Sequence, residues 1–193
     1  MLYLNQLDYP EMYYPTNAKE EGGLGEGKNN VKTAGCGLCS LCMVVENMTL
    51  NKFPLEECLQ MSLELKANLD PGTNLKILAP AVAEKFDLAY TTTSDENDLL
   101  DHLRSGGMAI ANTGGDREGY NAVFSHGGHY IVLLSCKQNT VCVLDPSQKE
   151  DKFETPERST KVTVKGNFIY TDISVLKQDT SNRTPSFYLF ARK

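Results

Sequence analysis

The chain has 193 residues and a formal net charge of −6, from 19 Lys and Arg residues against 25 Asp and Glu residues. Its length suits one domain with a sizeable core, and its 40% hydrophobic and 23% charged residues are typical of a globular protein. The acidic balance argues against nucleic acid as the main partner, because a phosphate backbone favours a basic face. No apolar run approaches the roughly 18 residues that a membrane span requires.

The N-terminus and the cysteines indicate the cellular compartment. The first residues contain no basic stretch followed by an apolar one, which argues against a secretory signal peptide. Several of the six cysteines lie in apolar runs, as buried free thiols do, and a chain of this size needs no disulfide framework. We therefore expect a reducing, cytoplasmic location, with secretion as the alternative if a leader has been removed.

The N-terminal segment, residues 1–35, is polar and irregular. Pro10 and Pro15 are followed by four glycines between positions 22 and 27. A loop this long in a compact domain is usually functional or mobile. Residues 16–32 are therefore expected either to border a cleft and select substrates, or to form a disordered surface insertion.

Helical periodicity dominates the next part of the chain. Residues from Gly37 to about Met48 are apolar on nearly every helical face, which predicts a helix buried in the middle of the core. Further helices are predicted over residues 54–68 and 73–86, with a break or kink at Pro80 in the latter. A short fourth helix is expected from a cap at Ser94 to Gly106.

The remainder of the chain is predicted to form strands. Short apolar or β-branched runs occupy residues 108–113, 130–135, 141–144, 161–164, 167–173 and 187–191. A turn at Gln138-Asn139 joins the second and third runs as a hairpin, and a Gly-rich connection spans residues 114–128.

This order of elements predicts an α+β fold in a single domain over residues 1–193. A helical layer, about residues 34–106, is expected to pack on an antiparallel sheet, about residues 107–193.

Cys36 stands between Gly35 and Gly37 at the start of the buried helix. Glycine leaves the backbone open to a closely approaching substrate carbonyl, so both glycines are candidate substrate-binding residues. The helix N-terminus favours a thiolate over a thiol. The spacing alone is equally compatible with a buried structural cysteine at a helix cap.

His129 opens an apolar strand directly after Gly127 and Gly128. A histidine in that position can point into a cleft, with Gly128 beside it as a candidate substrate contact. His126 lies in the glycine loop and is a further candidate substrate contact or a spectator. A structural histidine, or metal binding by two histidines three positions apart, are the alternatives.

Asp145 ends the strand that follows the one carrying His129. In an antiparallel hairpin the start of one strand lies beside the end of the other, so the two side chains are expected to be neighbours. The alternative for Asp145-Pro146 is simple turn chemistry.

Together Cys36, His129 and Asp145 provide a nucleophile, a base and an orienting carboxylate in chain order. Cysteine acyl transfer requires these parts and a donor for the oxyanion, and it requires neither a metal nor a cofactor. The side-chain amide of Gln6 is a candidate donor.

Five sequence blocks resemble bacterial papain-like cysteine peptidases related to the bacteriocin-processing, double-glycine peptidases. Residues 4–10 and 34–43 look like the opening of that family. Gly72-Thr73 with residues 79–86 resembles its middle helix, and residues 128–133 and 144–146 match its histidine and aspartate blocks. The resemblance covers roughly residues 4–147, and no transporter segment follows it.

The resemblance implies a papain-like fold and a peptide or protein substrate. It implies Cys36 as nucleophile, His129 as general base and acid, Asp145 as orienter and Gln6 as oxyanion donor. Family members commonly have proline and a small residue where this chain has Leu38 and Cys39, so changed packing is expected there.

Three other functions compete with a cysteine peptidase. Cys36, Cys39 and Cys42 are spaced three apart and could hold a metal or cluster, but no second paired motif accompanies them. A catalytically silent peptide-binding module could keep the same fold. The same triad also supports an amidase or transpeptidase.

Overall fold

A seven-stranded antiparallel sheet forms the centre of the molecule. The computed structural model describes residues 1–16, 29–69 and 71–193. In these residues the strands run in the spatial order β1-β7-β2-β3-β4-β6-β5. Their bounds are Leu88–Thr93 (β1), Met108–Thr113 (β2), His129–Lys137 (β3), Thr140–Leu144 (β4), Val162–Lys165 (β5), Phe168–Asp172 (β6) and Phe187–Arg192 (β7).

Seven helices in the described residues cover and connect the strands, so the predicted α+β class is confirmed. A single 3-10 turn, Gln6–Asp8, precedes them. Their bounds are Val31–Ala34 (α1), Cys36–Met48 (α2), Leu55–Glu64 (α3), Leu75–Lys85 (α4), Glu96–Arg104 (α5), Pro156–Ser159 (α6) and Ile173–Thr180 (α7).

The helix α2 is the centre of one hydrophobic layer, as the sequence predicts. Ten of its 13 residues are buried, from Gly37 to Met48. They pack with α3, α4 and one face of the sheet, including Ile110 and Val132. The apolar residues on nearly every face of α2 are therefore buried against neighbouring elements.

The sheet carries a second helical layer that the sequence analysis did not predict. Ala111 and Ile131, next along their strands to Ile110 and Val132, point to the opposite face and pack with α5 and α7. Successive strand residues face opposite sides of a sheet, so these near-continuous apolar strands are buried on both faces.

The predicted division into a helical half and a sheet half is less sharp than expected. The strand β1 lies inside the helical half and pairs with β7 at the far end of the chain. The helices α6 and α7 lie inside the sheet half, and residue 173, taken as strand, begins α7. The sequence of β1, Leu-Ala-Tyr-Thr-Thr-Thr, is rich in β-branched and aromatic residues, a composition that favours a strand and could have predicted this one.

Two predicted helix details are also corrected. The predicted break at Pro80 is absent, because the helix α4 continues through that residue although Pro80 has no N–H to donate to the carbonyl of Lys76. The cap of α5 is Asp95 rather than Ser94, because the Asp95 carboxylate accepts from the N–H groups of Asn97 and Asp98.

The Gly-rich connection before β3 is held by a buried carboxylate. Asp179, at the end of α7, accepts hydrogen bonds from the backbone N–H groups of Val123 and Phe124 and from the Tyr120 hydroxyl. This anchor fixes the chain immediately before His129. Most of the other predicted loop, residues 16–32, lies outside the described residues.

No helix in the described part of the chain is both long and apolar enough to cross a bilayer.

The packing of α2 predicts a specific stability difference between two leucines. Leu41 is fully buried in α2, whereas Leu50 is fully exposed just after it. Leu41→Ala should lower the free energy of unfolding by about 2–5 kcal/mol because it leaves a cavity. Leu50→Ala should change it by less than about 0.5 kcal/mol. Urea denaturation measures both, and equal losses would contradict the central position of α2.

Candidate active site

Three elements bring the predicted residues together. Cys36 begins α2, His129 begins β3, and Asp145 follows β4. The β3–β4 pairing sets Val132 opposite Leu144. His129 lies three residues before Val132, and Ser147 lies three residues after Leu144. Because the strands are antiparallel, this register places His129 beside residues 145–147.

The His129 ring and the Asp145 carboxylate are in direct contact. Nε2 of His129 lies 2.8 Å from Oδ1 of Asp145, and both side chains are buried. The Cys36 thiol lines the same cleft as the ring, and each of the two groups shifts the pKa of the other. Because Nε2 faces the carboxylate, Nδ1 is the nitrogen left to face the sulfur.

Two residues that the sequence analysis missed complete this cluster. Lys152 is buried, and its Nζ donates to Oδ2 of Asp145 at 2.5 Å and to Oγ of Ser147 at 2.6 Å. The Ser147 backbone N–H donates to Oδ1 of Asp145 at 2.8 Å, and its Oγ lies 3.0 Å from Nε2 of His129. A lysine seven positions after an Asp-Pro turn gives no pattern, so only the folded chain reveals it.

The charges in the cluster determine its protonation. Burial would raise the pKa of Asp145, but the positive charges of Lys152 and His129 hold that pKa well below its ordinary value. Burial would lower the pKa of His129, but the Asp145 charge and the hydrogen bonds to Asp145 and Cys36 raise that pKa overall. The carboxylate therefore stays ionised and favours an imidazolium.

The pKa of the Cys36 thiol is lowered, whereas that of His129 is raised. Burial would raise the pKa of its thiol, but the hydrogen bond and charge of His129, with backbone contacts to Tyr130 and Gly37, lower the pKa overall. The pKa of Cys39, one turn further along α2, is raised well above its ordinary value, chiefly by burial. The site thus favours a thiolate at Cys36 and a thiol at its neighbour.

Gln6 is bonded to the turn that follows Asp145 and to the segment that precedes Cys36, and it is not among the residues that line the cleft. Its backbone N–H donates to the Pro146 carbonyl at 2.7 Å, and its Nε2 donates to the Lys32 carbonyl at 2.7 Å. The hydroxyl of Tyr3 donates to the Asp145 carbonyl at 2.8 Å, which ties the same segment to the same turn. Gln6 is buried, and Lys32 uses one of the two donors of its amide nitrogen.

Cys36 and His129 open onto a cleft of about 390 Å³, which Gly128 also lines. Gly35 and Gly37 are not among its lining residues. A Cβ at Gly35 would lie 2.4 Å from Val31, and one at Gly37 would lie 2.9 Å from Thr73, so packing alone accounts for both glycines. Their proposed contact with substrate stays a prediction.

His126 is exposed, and its Nδ1 pairs with Oδ2 of Asp116 at 2.6 Å. It does not line the cleft, and a role in substrate binding likewise stays a prediction.

All six cysteines are free thiols. Cys39 and Cys42 are buried inside α2, and the described residues contain no group of three or more His, Cys, Asp or Glu side chains arranged to hold a metal.

Comparison with known proteins finds likeness in structure rather than in sequence. No protein-family model and no curated protein matches the sequence. A structure described as that of a C39-like peptidase from Bacillus anthracis superposes with a TM-score of 0.55 at 12% identity, over 83% of this chain and 90% of that one. The peptidase domain of Streptococcus ComA, a bi-functional ABC transporter involved in a quorum-sensing pathway, gives 0.52 at 14% identity, over 82% and 91%. The chain therefore has the papain-like fold of the C39 peptidases, as its sequence blocks predict.

Proposed function

We propose that the chain is a cysteine-type hydrolase that cleaves a peptide or related amide bond at Cys36. The observation that carries the proposal is the buried contact between His129 and Asp145, with His129 and Cys36 lining the same cleft. The fold shared with peptidases supports it. A silent binding module needs no buried carboxylate to orient a histidine toward a cysteine.

The reaction follows from the protonation of the cluster. His129 holds the proton of Cys36, and the thiolate attacks the substrate carbonyl carbon to form a tetrahedral intermediate. The imidazolium then gives its proton to the departing amine, and an acyl-enzyme thioester remains. Water attacks the thioester with His129 as general base, which releases the carboxylic acid and restores the thiol.

The oxyanion of the tetrahedral intermediate needs fixed donors. The free N–H of the Gln6 amide and the first N–H groups of α2 are the donors proposed here, since the first turn of a helix has no intrahelical acceptors for them. The hydrogen bond from Gln6 to Lys32 holds the amide in place beside the residues that lead into Cys36.

Lys152 is proposed as a positioning residue for Asp145. Its ammonium group binds Oδ2 of Asp145, the carboxylate oxygen that His129 does not contact. This fixes the rotation of the carboxylate and keeps it charged, so that its other oxygen remains aligned with the ring.

The charge distribution predicts an unusual pH dependence of Cys36 alkylation. The reactive thiolate–imidazolium pair exists above the pKa of Cys36 and below that of His129. Because the pKa of Cys36 is lowered and that of His129 is raised, iodoacetamide should label Cys36 at pH 6, below the ordinary thiol pKa of about 8.5.

Cys142 is the internal control for that experiment. It is partly exposed, and its thiol pKa is raised by burial, so it should react only at alkaline pH. His129→Gln should abolish the labelling of Cys36 at pH 6. If mass spectrometry finds the same pH profile for Cys36 and Cys142, the proposed nucleophile is wrong.

A peptide library tests the reaction itself. Incubation with the protein, followed by mass spectrometry, should yield cleaved peptides that Cys36→Ala does not produce. Asp145→Asn should reduce the cleavage rate by up to about 10⁴-fold, because the ring loses the partner that fixes its orientation. Cys42→Ala, which removes a buried thiol of the same helix, should retain the cleavage pattern. Cleavage by Cys36→Ala at the wild-type rate would exclude the mechanism.

The ion pair of Lys152 predicts a stability effect with a defined pH dependence. Lys152→Met should lower the free energy of unfolding by about 3–5 kcal/mol, because it leaves a buried carboxylate without its cation. The folded pKa of Asp145 is depressed, so its contribution to stability is present above the ordinary carboxyl pKa of about 3.9 and is lost as the pH falls through the folded value. The variant should therefore unfold at a higher pH during acid titration.

Lys149→Met is the matched control, because Lys149 forms an exposed ion pair with Asp151. It should change the free energy of unfolding by less than about 1 kcal/mol. Equal effects of the two variants would show that the buried pair is not needed.

A further inference from the structure

Arg183 is a positively charged residue of the cleft that the proposed chemistry does not use. It lies in the loop between α7 and β7 and lines the cleft together with Cys36 and His129. Its guanidinium lies against Gly128, where a Cβ would come within 2.7 Å of Nη2. The charge is therefore held beside the residue that precedes the catalytic histidine candidate.

The guanidinium has unused hydrogen-bonding capacity. Nε of Arg183 is buried and has no hydrogen-bond partner among the described residues, and no described carboxylate forms an ion pair with Arg183. The Nη2 group lies beside Gly128 at the cleft wall, and a guanidinium matches the two oxygens of a carboxylate. Among the described residues, the guanidinium at this wall of the cleft thus has no anionic partner.

The residues around Arg183 are also rich in hydrogen-bond donors. A second pocket of about 290 Å³ adjoins the cleft, sharing Asn112, Tyr130 and Arg183 with it, and Lys76 and Asn182 also line it. No carboxylate appears among the described residues that line either pocket. The chain as a whole has a net charge of −6, whereas this wall of the cleft carries two cations and several amide groups.

We propose that Arg183, supported by Lys76, binds a carboxylate of the peptide substrate, so that the enzyme prefers peptides that place a carboxylate at this wall of the cleft. This inference rests on the proposed function of Cys36. The carboxylate is either an acidic side chain or a free C-terminus, since a guanidinium binds both in the same way.

Two small alkylating agents test the charge preference without a known substrate. Iodoacetate and iodoacetamide react with the same thiolate and differ chiefly in the carboxylate. At Cys36, the rate with iodoacetate divided by the rate with iodoacetamide should fall by about two- to fivefold in Arg183→Gln. This is the effect expected from the loss of one partly solvated charge contact. The ratio in the wild-type protein should also decrease more steeply with added salt than in the variant.

Two variants make the result specific. Arg183→Lys keeps the charge and should retain most of the ratio. Arg104→Gln changes the net charge equally, at an exposed residue paired with Asp101, and should leave the ratio unchanged. If Arg183→Gln leaves the ratio unchanged while Cys36 still reacts with iodoacetamide at pH 6, the inference is wrong and the proposed function stands. If iodoacetamide shows no preference for Cys36, both fail together.

Protection by short peptides identifies the source of the carboxylate. Acetyl-Ala-Glu-Ala-amide carries only a side-chain carboxylate, acetyl-Ala-Gln-Ala carries only a terminal one, and acetyl-Ala-Gln-Ala-amide carries neither. Slower iodoacetamide labelling of Cys36 with either carboxylate peptide, lost in Arg183→Gln, supports the inference. Equal protection by all three peptides overturns it.

Discussion

A single buried carboxylate organises the site of this molecule. Asp145 has no exposed surface, and its oxygens are divided between His129 on one side and Lys152 on the other, with Ser147 bridging them. An isolated charge in the interior would be unstable. The cation of Lys152 therefore allows a carboxylate to lie behind the histidine and remain ionised.

In its proposed reactive form the site is a row of four groups of alternating charge: the thiolate of Cys36, the imidazolium of His129, the carboxylate of Asp145 and the ammonium of Lys152. Successive groups in this row have opposite charges, and the row is neutral as a whole. Lys152 opposes the effect of Asp145 on the pKa of His129, so the outermost cation moderates how strongly the histidine retains its proton. Removal of either end would leave an unbalanced charge in a region of low dielectric.

The sequence predicts those features that depend on local patterns. Apolar spacing locates α2, and β-branched runs locate the β3–β4 hairpin, which by itself sets His129 near Asp145. Features that depend on distant contacts are missed. The strand β1 is stabilised by pairing with β7 about a hundred residues away, and the second layer of helices follows from burial of both sheet faces. In the sequence, Lys152 and Arg183 cannot be distinguished from ordinary surface cations. The fold places Lys152 behind the Asp145 carboxylate and Arg183 in the cleft.

The position of β7 within the sheet has a consequence for synthesis of the chain. This last strand, Phe187–Arg192, lies between β1 and β2 and is bonded to both. While it is still inside the ribosome, β1 has no partner strand and one edge of β2 has unpaired backbone groups next to apolar side chains. Open edges of that kind pair readily with other chains. A product that stops before Phe187 would therefore retain every residue of the cysteine–histidine–aspartate cluster, yet it would expose two unpaired strand edges and be prone to aggregation.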